Sequence, residues 1–157
     1  MIGKLNEEQI DDLLSKQLIG RIGCIANGLV YVVPISYAYD GESIYAHTSE
    51  GLKIDGMRQN PDVCFEVENL KDMANWQTVI AWGKFEELKE SDEQNKALQL
   101  LLDRQLPIIS SSTTHLGKSW PFTAAESGQI EGIFFKVTLT KRTGKFESNS
   151  NSPKING

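Results

Sequence analysis

Cysteine is nearly absent from this 157-residue chain, with only Cys24 and Cys64, and they do not form a Cys-x-x-Cys pair. Each sits inside an apolar run, Ile22-Gly23-Cys24-Ile25 and Val63-Cys64-Phe65, so a thiolate metal site or a disulfide framework is excluded and buried free thiols are expected. The chain also lacks an excess of basic residues. Its formal net charge is −5, which argues against a general grip on nucleic acid or an anionic membrane. No apolar run approaches the ~18 residues that a membrane span requires. The amino terminus is acidic and amphipathic, so no secretory signal is expected and a cytoplasmic location is the default. There is no G-x-G-x-x-G after a strand, no G-x-x-x-x-G-K-[ST] loop, no H-E-x-x-H and no G-x-S-x-G. Dinucleotide binding on a parallel sheet, P-loop phosphoryl transfer, zinc hydrolysis and serine hydrolysis all lack their geometry. Catalysis, if present, must be borrowed from a cofactor.

What remains is an ordinary globular composition, long enough for a single domain over residues 1–146 with an Asn/Ser-rich tail, expected to be disordered, over 147–157. Asn6 with Gln9 reads as a capping box, and Ile10, Leu13, Leu14 and Leu18 follow at helical spacing, predicting a helix that ends near Leu18. The period then changes to two. Gly20–Ala26 and Val30–Tyr39 are joined by the tight-turn dipeptide Asn27-Gly28, and Asp40-Gly41 leads into a third strand, Ser43–Thr48. Such short turns predict an antiparallel meander. A short helix from Leu52 to Asn60 is stopped by Pro61, and Gly56 inside it suggests close backbone packing. Strands follow at Asp62–Asn69 and Gln77–Leu88. Ser91 with Gln94 reads as a second capping box, opening a helix with Leu98, Leu101 and Leu102 on one side. Residues 107–129 read as a long loop, and Ile133–Thr140 alternates as the last strand. The fold class is mainly β: six antiparallel strands in a closed or nearly closed barrel, with peripheral α-helices.

The segment richest in chemistry is Tyr45-Ala46-His47-Thr48-Ser49-Glu50-Gly51-Leu52-Lys53, a strand running through a polar loop into a helix. Such a junction points several backbone N–H groups at one spot, and the Thr48 and Ser49 hydroxyls with the Lys53 ammonium complete a nest for one phosphate monoester. Arg58 reads as a surface residue or a second, distant phosphate contact. Trp82 shares a strand face with Thr78 and Ile80 and reads as core or dimer packing. His115, and Trp120 with its neighbours Pro121 and Phe122, fall in the long loop, as a residue beside a bound ligand and a cover for a ligand or an interface respectively.

In order and spacing, Gly20-Arg21-Ile22-Gly23, Val32-Val33-Pro34-Ile35-Ser36-Tyr37, Tyr45-Ala46-His47-Thr48 with Gly51 and Lys53, Asn60-Pro61, Trp76-Gln77-Thr78-Val79, Trp82-Gly83-Lys84-Phe85-Glu86 and Thr143-Gly144-Lys145 resemble the pyridoxamine-phosphate-oxidase-like flavoproteins. Within that FMN-binding split-barrel family the chain is most similar to the nitroimidazole-resistance type. The resemblance implies a Greek-key-like split barrel and a homodimer with FMN in clefts between subunits. It implies that Pro34, Ile35, Ser36 and Tyr37 line the isoalloxazine ring, that His47 and Thr48 approach from the next strand, that Lys53 pairs with the phosphate, and that Thr78 reaches the flavin from the neighbouring strand. Leu52 stands where the oxidases proper carry an arginine, and Lys136–Lys145 lacks their pyridoxal-phosphate signatures, which argues against vitamin oxidation. The expected function is an FMN-dependent oxidoreductase passing electrons from a reduced nicotinamide to a nitroaromatic or quinone. Non-catalytic flavin binding, or haem binding on the same barrel, is the alternative.

Overall fold

Asn6 stops one extended segment and starts the first helix. Its side chain accepts a hydrogen bond from the Gln9 amide, and the Gln9 carboxamide oxygen accepts from the Asn6 amide, each at 2.9 Å. Both amides would otherwise be orphaned at the helix start. The computed structural model describes residues 1–104, 110–111, 114–115 and 131–149. Among them the elements run β1 (Ile2–Lys4), α1 (Glu7–Lys16), β2 (Ile19–Ala26), β3 (Leu29–Ser36), β4 (Ala38–Tyr39), β5 (Ser43–Thr48), α2 (Leu52–Gln59), β6 (Asp62–Asp72), β7 (Asn75–Glu87), α3 (Ser91–Leu102), β8 (Ser110–Ser111), β9 (Thr114–His115) and β10 (Ile133–Glu147).

The main sheet has the order β3-β2-β6-β7-β10-β5-β4, with β1 added to β10, and all its pairings are antiparallel. β8 and β9 form a separate small pair. Asn27 and Gly28 both take positive φ, 52° and 73°, which is what a tight turn matching strand twist demands. The meander expected beyond that hairpin is not formed. β5 pairs with β10 and β4 rather than with β3. The cause is Tyr37, which lies fully buried between β3 and β4. Its hydroxyl donates to the Leu14 carbonyl at 2.6 Å and its amide donates to the Leu18 carbonyl at 3.1 Å. The chain turns at this residue, so the two ends of the sheet, β3 and β4, are neighbours in sequence. The barrel is split there.

Inside the barrel, Leu14 of α1 and Ile54 and Met57 of α2 pack with Ile22, Ile44, Phe65, Val67, Val79, Phe135 and Val137. The Tyr37 and Phe65 rings meet edge to face at 4.9 Å. A second cluster joins Ala97, Leu98 and Leu101 of α3 to Tyr45, Leu88 and Phe134. At ~25 cal/mol per Å² of apolar surface removed from water, these two clusters carry most of the favourable folding energy.

Several boundaries differ from the sequence expectation, and the main sheet has eight strands where six were expected. β10 runs on through an irregularity between Leu139 and Lys141 to Glu147, because β7 and β1 offer it partners on both edges. Ser148 and Asn149 remain bonded to Met1 and Asn75; residues 150–157 lie outside the described part. The cap of α3 is Glu90, with no side-chain cap bond, so Ser91 does not make a capping box; the Gln94 carboxamide instead donates to the Leu88 carbonyl at 2.9 Å. Most of 107–129, including Trp120, also lies outside the described residues, while His115 is paired with Ser110 between β9 and β8.

Candidate functional site

Lys53 sits in the first turn of α2, and Thr48 is the last residue of β5. The strand-to-helix connection folds them together, and the Lys53 ammonium donates to the Thr48 hydroxyl at 2.6 Å. Burial pushes the lysine pKa below its ordinary value, and the Cys24 thiol lies within electrostatic reach. No carboxylate pairs with Lys53 among the described residues. The helix begins at Gly51, which offers no side-chain cap, so the Leu52, Lys53 and Ile54 amides have no intrahelical acceptor. A half-buried cation held by a neutral hydroxyl, beside free helix amides, is a fixed positive site suited to an anion.

Arg58 explains why the acidic Glu50 in the same loop does not cancel this field. Its guanidinium donates to both Glu50 oxygens, at 2.9 and 3.0 Å, and to both Glu87 oxygens, at 3.0 and 2.9 Å. Arg58 is therefore committed to carboxylates, not to a distant phosphate, and it holds the Glu87 carboxyl below the usual range.

His47 is half-buried, its ring 4.7 Å from that of Phe134. Its Nε2 lies 2.7 Å from the Glu131 carbonyl oxygen. A carbonyl can only accept, so Nε2 carries the proton. Burial lowers the His47 pKa, which keeps the ring neutral and its orientation fixed. Ser49 is exposed.

The β3 residues divide by alternation. Pro34 and Ser36 face outward and are exposed, whereas the Ile35 and Tyr37 side chains are buried in the core and can offer a ligand only their backbone. Thr78 does not lie on a strand next to β3 or β5. It sits in β7, separated from β3 by β6 and β2, about 14 Å at ordinary strand spacing. Its hydroxyl donates to a Glu66 carboxylate oxygen at 3.1 Å. Along β10, Thr48 pairs beside Ile133 and Thr78 beside Lys145, at opposite ends of that strand. One chain thus brings Thr48 and Lys53 together and leaves Thr78 remote.

The outer face of β3, β2, β6 and β7 carries an exposed apolar patch beside the Arg21–Glu66–Glu68 and Lys84–Asp62 ion pairs. Val30 and Val32 are 84% and 58% exposed, and Ile25, Ile80 and Trp82 lie on the same face. A shallow hollow of about 700 Å³ there is lined by Ile25, Val30, Val32, Cys64 and Trp82, with the charged Arg21, Asp62, Glu66 and Lys84 also around it. It does not include the residues named for the flavin. Trp82 is therefore not a core residue; it lies on this face with the Lys141 ammonium 5.1 Å from its ring centre.

Sequence reasoning missed one residue beside the named set. Arg104, just past α3, donates to the Ser36 hydroxyl, to the Tyr37 carbonyl at 3.0 Å and to the Leu101 carbonyl at 2.8 Å. No local pattern links position 104 to position 36. Among the described residues no group of His, Cys, Asp or Glu could hold a metal ion.

With this geometry in view, comparison with known proteins is informative. The family model described as pyridoxamine 5'-phosphate oxidase matches residues 6–145. The chain belongs to that family. An uncharacterised protein of Rhizobium meliloti (strain 1021) is 27% identical over 145 residues, covering 90% of this chain and 92% of its own. Among solved structures, a FAD-binding protein of Mesorhizobium loti is 26% identical with a TM-score of 0.72, covering 94% of this chain and 99% of that one. A candidate 5-nitroimidazole antibiotic resistance protein of Bacteroides thetaiotaomicron shares the fold, with a TM-score of 0.69 at 18% identity over 93% of this chain and 87% of that one. Membership of the pyridoxamine 5'-phosphate oxidase family agrees with the split barrel observed here. No described helix is long and apolar enough to cross a membrane.

Proposed function

We propose that the chain is an FMN-dependent oxidoreductase that works as a homodimer in the cytoplasm. The observation that carries this reading is Lys53, a half-buried ammonium fixed by Thr48 with no carboxylate partner among the described residues. It fits the phosphate of a mononucleotide, and the Arg58 clamp on Glu50 keeps the approach from being repelled. Bound FMN would supply hydride acceptance from a reduced nicotinamide and electron delivery to a small acceptor such as a nitroaromatic or quinone.

The protein's own part is binding, orientation and exclusion of water. Lys53 and Thr48 hold the phosphate. The exposed Pro34 and Ser36, with the backbone through Ile35 and Tyr37, offer an edge for the ring. His47 keeps a neutral, oriented imidazole at the end of β5 and takes no proton in this scheme. The separation of Thr78 from Thr48 within one chain supports the dimer, because both can touch one flavin only if a second copy supplies Thr78. The apolar outer face around Val30, Val32 and Trp82 is the surface that a second copy would cover.

The test is titration of the cofactor-free protein with FMN, read by quenching of flavin fluorescence and by the visible spectrum, with FAD in parallel. Tight uptake of FMN, weakened about 10–100-fold in Lys53→Gln, is the expected result, as for loss of a charge-assisted contact. A protein that takes up neither flavin refutes the reading. Preference for FAD replaces the cofactor, and a Soret band would point to haem. Mixing the FMN form with NADH or NADPH separates an enzyme from a non-catalytic flavin carrier.

A further inference from the structure

The chain has four arginines, and three are committed to acids: Arg21 to Glu66 and Glu68, Arg58 to Glu50 and Glu87, and Arg142 to Asp11 and Glu7. Arg104 is different. It is half-buried, yet its hydrogen bonds go to the Leu101 carbonyl through Nε and to the Ser36 hydroxyl and Tyr37 carbonyl through Nη1. All three acceptors are neutral. A guanidinium has five N–H donors in a rigid fork, and the pair on Nη2 is left without an acceptor among the described residues. No described side-chain nitrogen is both fully buried and unbonded, so Nη2 reaches accessible space.

Arg104 lines a crevice of about 410 Å³ between the ends of α1 and α3, with Lys16, Gln17, Leu18, Tyr39 and Asp103 among others. The one acid among its described lining residues, Asp103, accepts from the neutral Gln99 carboxamide at 2.7 Å and keeps its charge, while Lys16 is tied to Asp12 outside the crevice. The carbonyl ends of the two helices are partly quenched, since Leu13 and Leu14 accept from Gln17 and Tyr37, and Leu101 accepts from Arg104 itself. Three bonds therefore set the fork rigidly, and among the described residues no acid pairs with its remaining edge. Ser36 pairs with Ile19 at one end of β2, whereas Lys53 interacts with Cys24, five residues along. That is about 16 Å of strand, so the two cations are anchored towards different ends of β2.

We propose that Arg104 is the receptor for a second anion, the carboxylate or phosphate of a small molecule bound in the crevice between α1 and α3, separate from the Lys53 site. The planar fork suits a two-oxygen acid, which the Nη2 edge can engage while Nε and Nη1 hold the side chain in place. Because Arg104 also grips Ser36 and Tyr37, a ligand here communicates directly with the strand end offered to the flavin ring.

The experiment records amide shifts of Tyr37, Leu101 and Arg104 by NMR in the full-length protein during titration with sodium acetate and, separately, sodium phosphate. Sodium chloride at matched ionic strength is the control. Saturable shifts with acetate or phosphate but not chloride, kept in Lys53→Gln and weakened at least about tenfold in Arg104→Gln, are expected. The arm with the tighter response names the acid class. Arg104→Lys keeps the charge but loses the fork, so it should bind more weakly than the native protein while remaining folded by thermal melt; it decides the matter if the glutamine variant does not fold. Shifts shared by chloride, or absent with both acids, or unchanged in both Arg104 variants, overturn the proposal. A lower melting temperature in Arg104→Gln with no anion response in the native protein marks Arg104 as a structural clasp only and overturns it equally.

Discussion

Gly56 is where α2 touches β2 of the barrel, and replacing it with alanine tests that packing directly. A Cβ added there would lie 2.6 Å from the Ile25 carbonyl oxygen, 3.0 Å from the Ala26 Cβ and 3.1 Å from the Ala26 Cα. None of these belongs to a flexible side-chain tip, and two are backbone atoms of β2. To restore an ordinary contact of 3.4 Å from 2.6 Å, α2 must move outward by about 0.8 Å. In a well-packed interior an added methyl of this kind costs about 1–3 kcal/mol. Alanine recovers up to ~1 kcal/mol of helix propensity. With three contacts inside van der Waals range the steric cost wins, and Gly56→Ala should lose about 1–2 kcal/mol net. For a chain of this length that lowers the melting temperature by about 2–8 °C. Urea denaturation and a thermal melt measure it. Gly51→Ala is the control, because nothing lies within 4 Å of its added Cβ; as the N-cap of α2 it should lose up to about 1 kcal/mol of capping preference without displacing α2 from β2. Since Lys53 lies one turn before Gly56, the same shift should also weaken FMN uptake. An alanine variant as stable as the native protein would mean that helix propensity outweighs the clash, and the account of α2 seating would be wrong.

Asn6→Ala removes the reciprocal cap of α1 and should cost about 1 kcal/mol in urea unfolding; no loss would show that the cap bonds add nothing net. His47 has its pKa lowered by burial from the ordinary 6.5. Below that value the unfolded chain binds a proton that the folded protein resists, so stability falls as pH drops from about 6.5 through the lowered folded-state pKa. That slope should flatten in His47→Gln, and an unchanged slope between pH 7 and 5 would refute it. Arg58→Met should let the Glu87 carboxyl titrate back toward its ordinary 4.5, followed by carboxyl NMR, and a pKa that stays low would place its cause elsewhere.

Much of this molecule is local physics, and so could be read from residue order. The Asn6–Gln9 cap, the Asn27-Gly28 turn, the period-two strands and the Pro61 stop each depend on neighbours in sequence, and each appears where the pattern placed it. Gly56 signalled tight packing for the same reason. Lys53 beside Thr48 was also legible, because a strand end and the helix after it are only five residues apart. Sequence could not show that Tyr37 is drawn into the core and breaks the meander, because its partners, the Leu14 and Leu18 carbonyls, are distant in the chain. Nor could it show that Arg58 is consumed by Glu50 and Glu87, that Thr78 lies strands away from Pro34, or that Arg104 meets Ser36 with two of its five donors unspent. Those facts depend on strand order and on contacts spanning up to 68 residues, and only the closing of the sheet brings such groups within hydrogen-bonding reach.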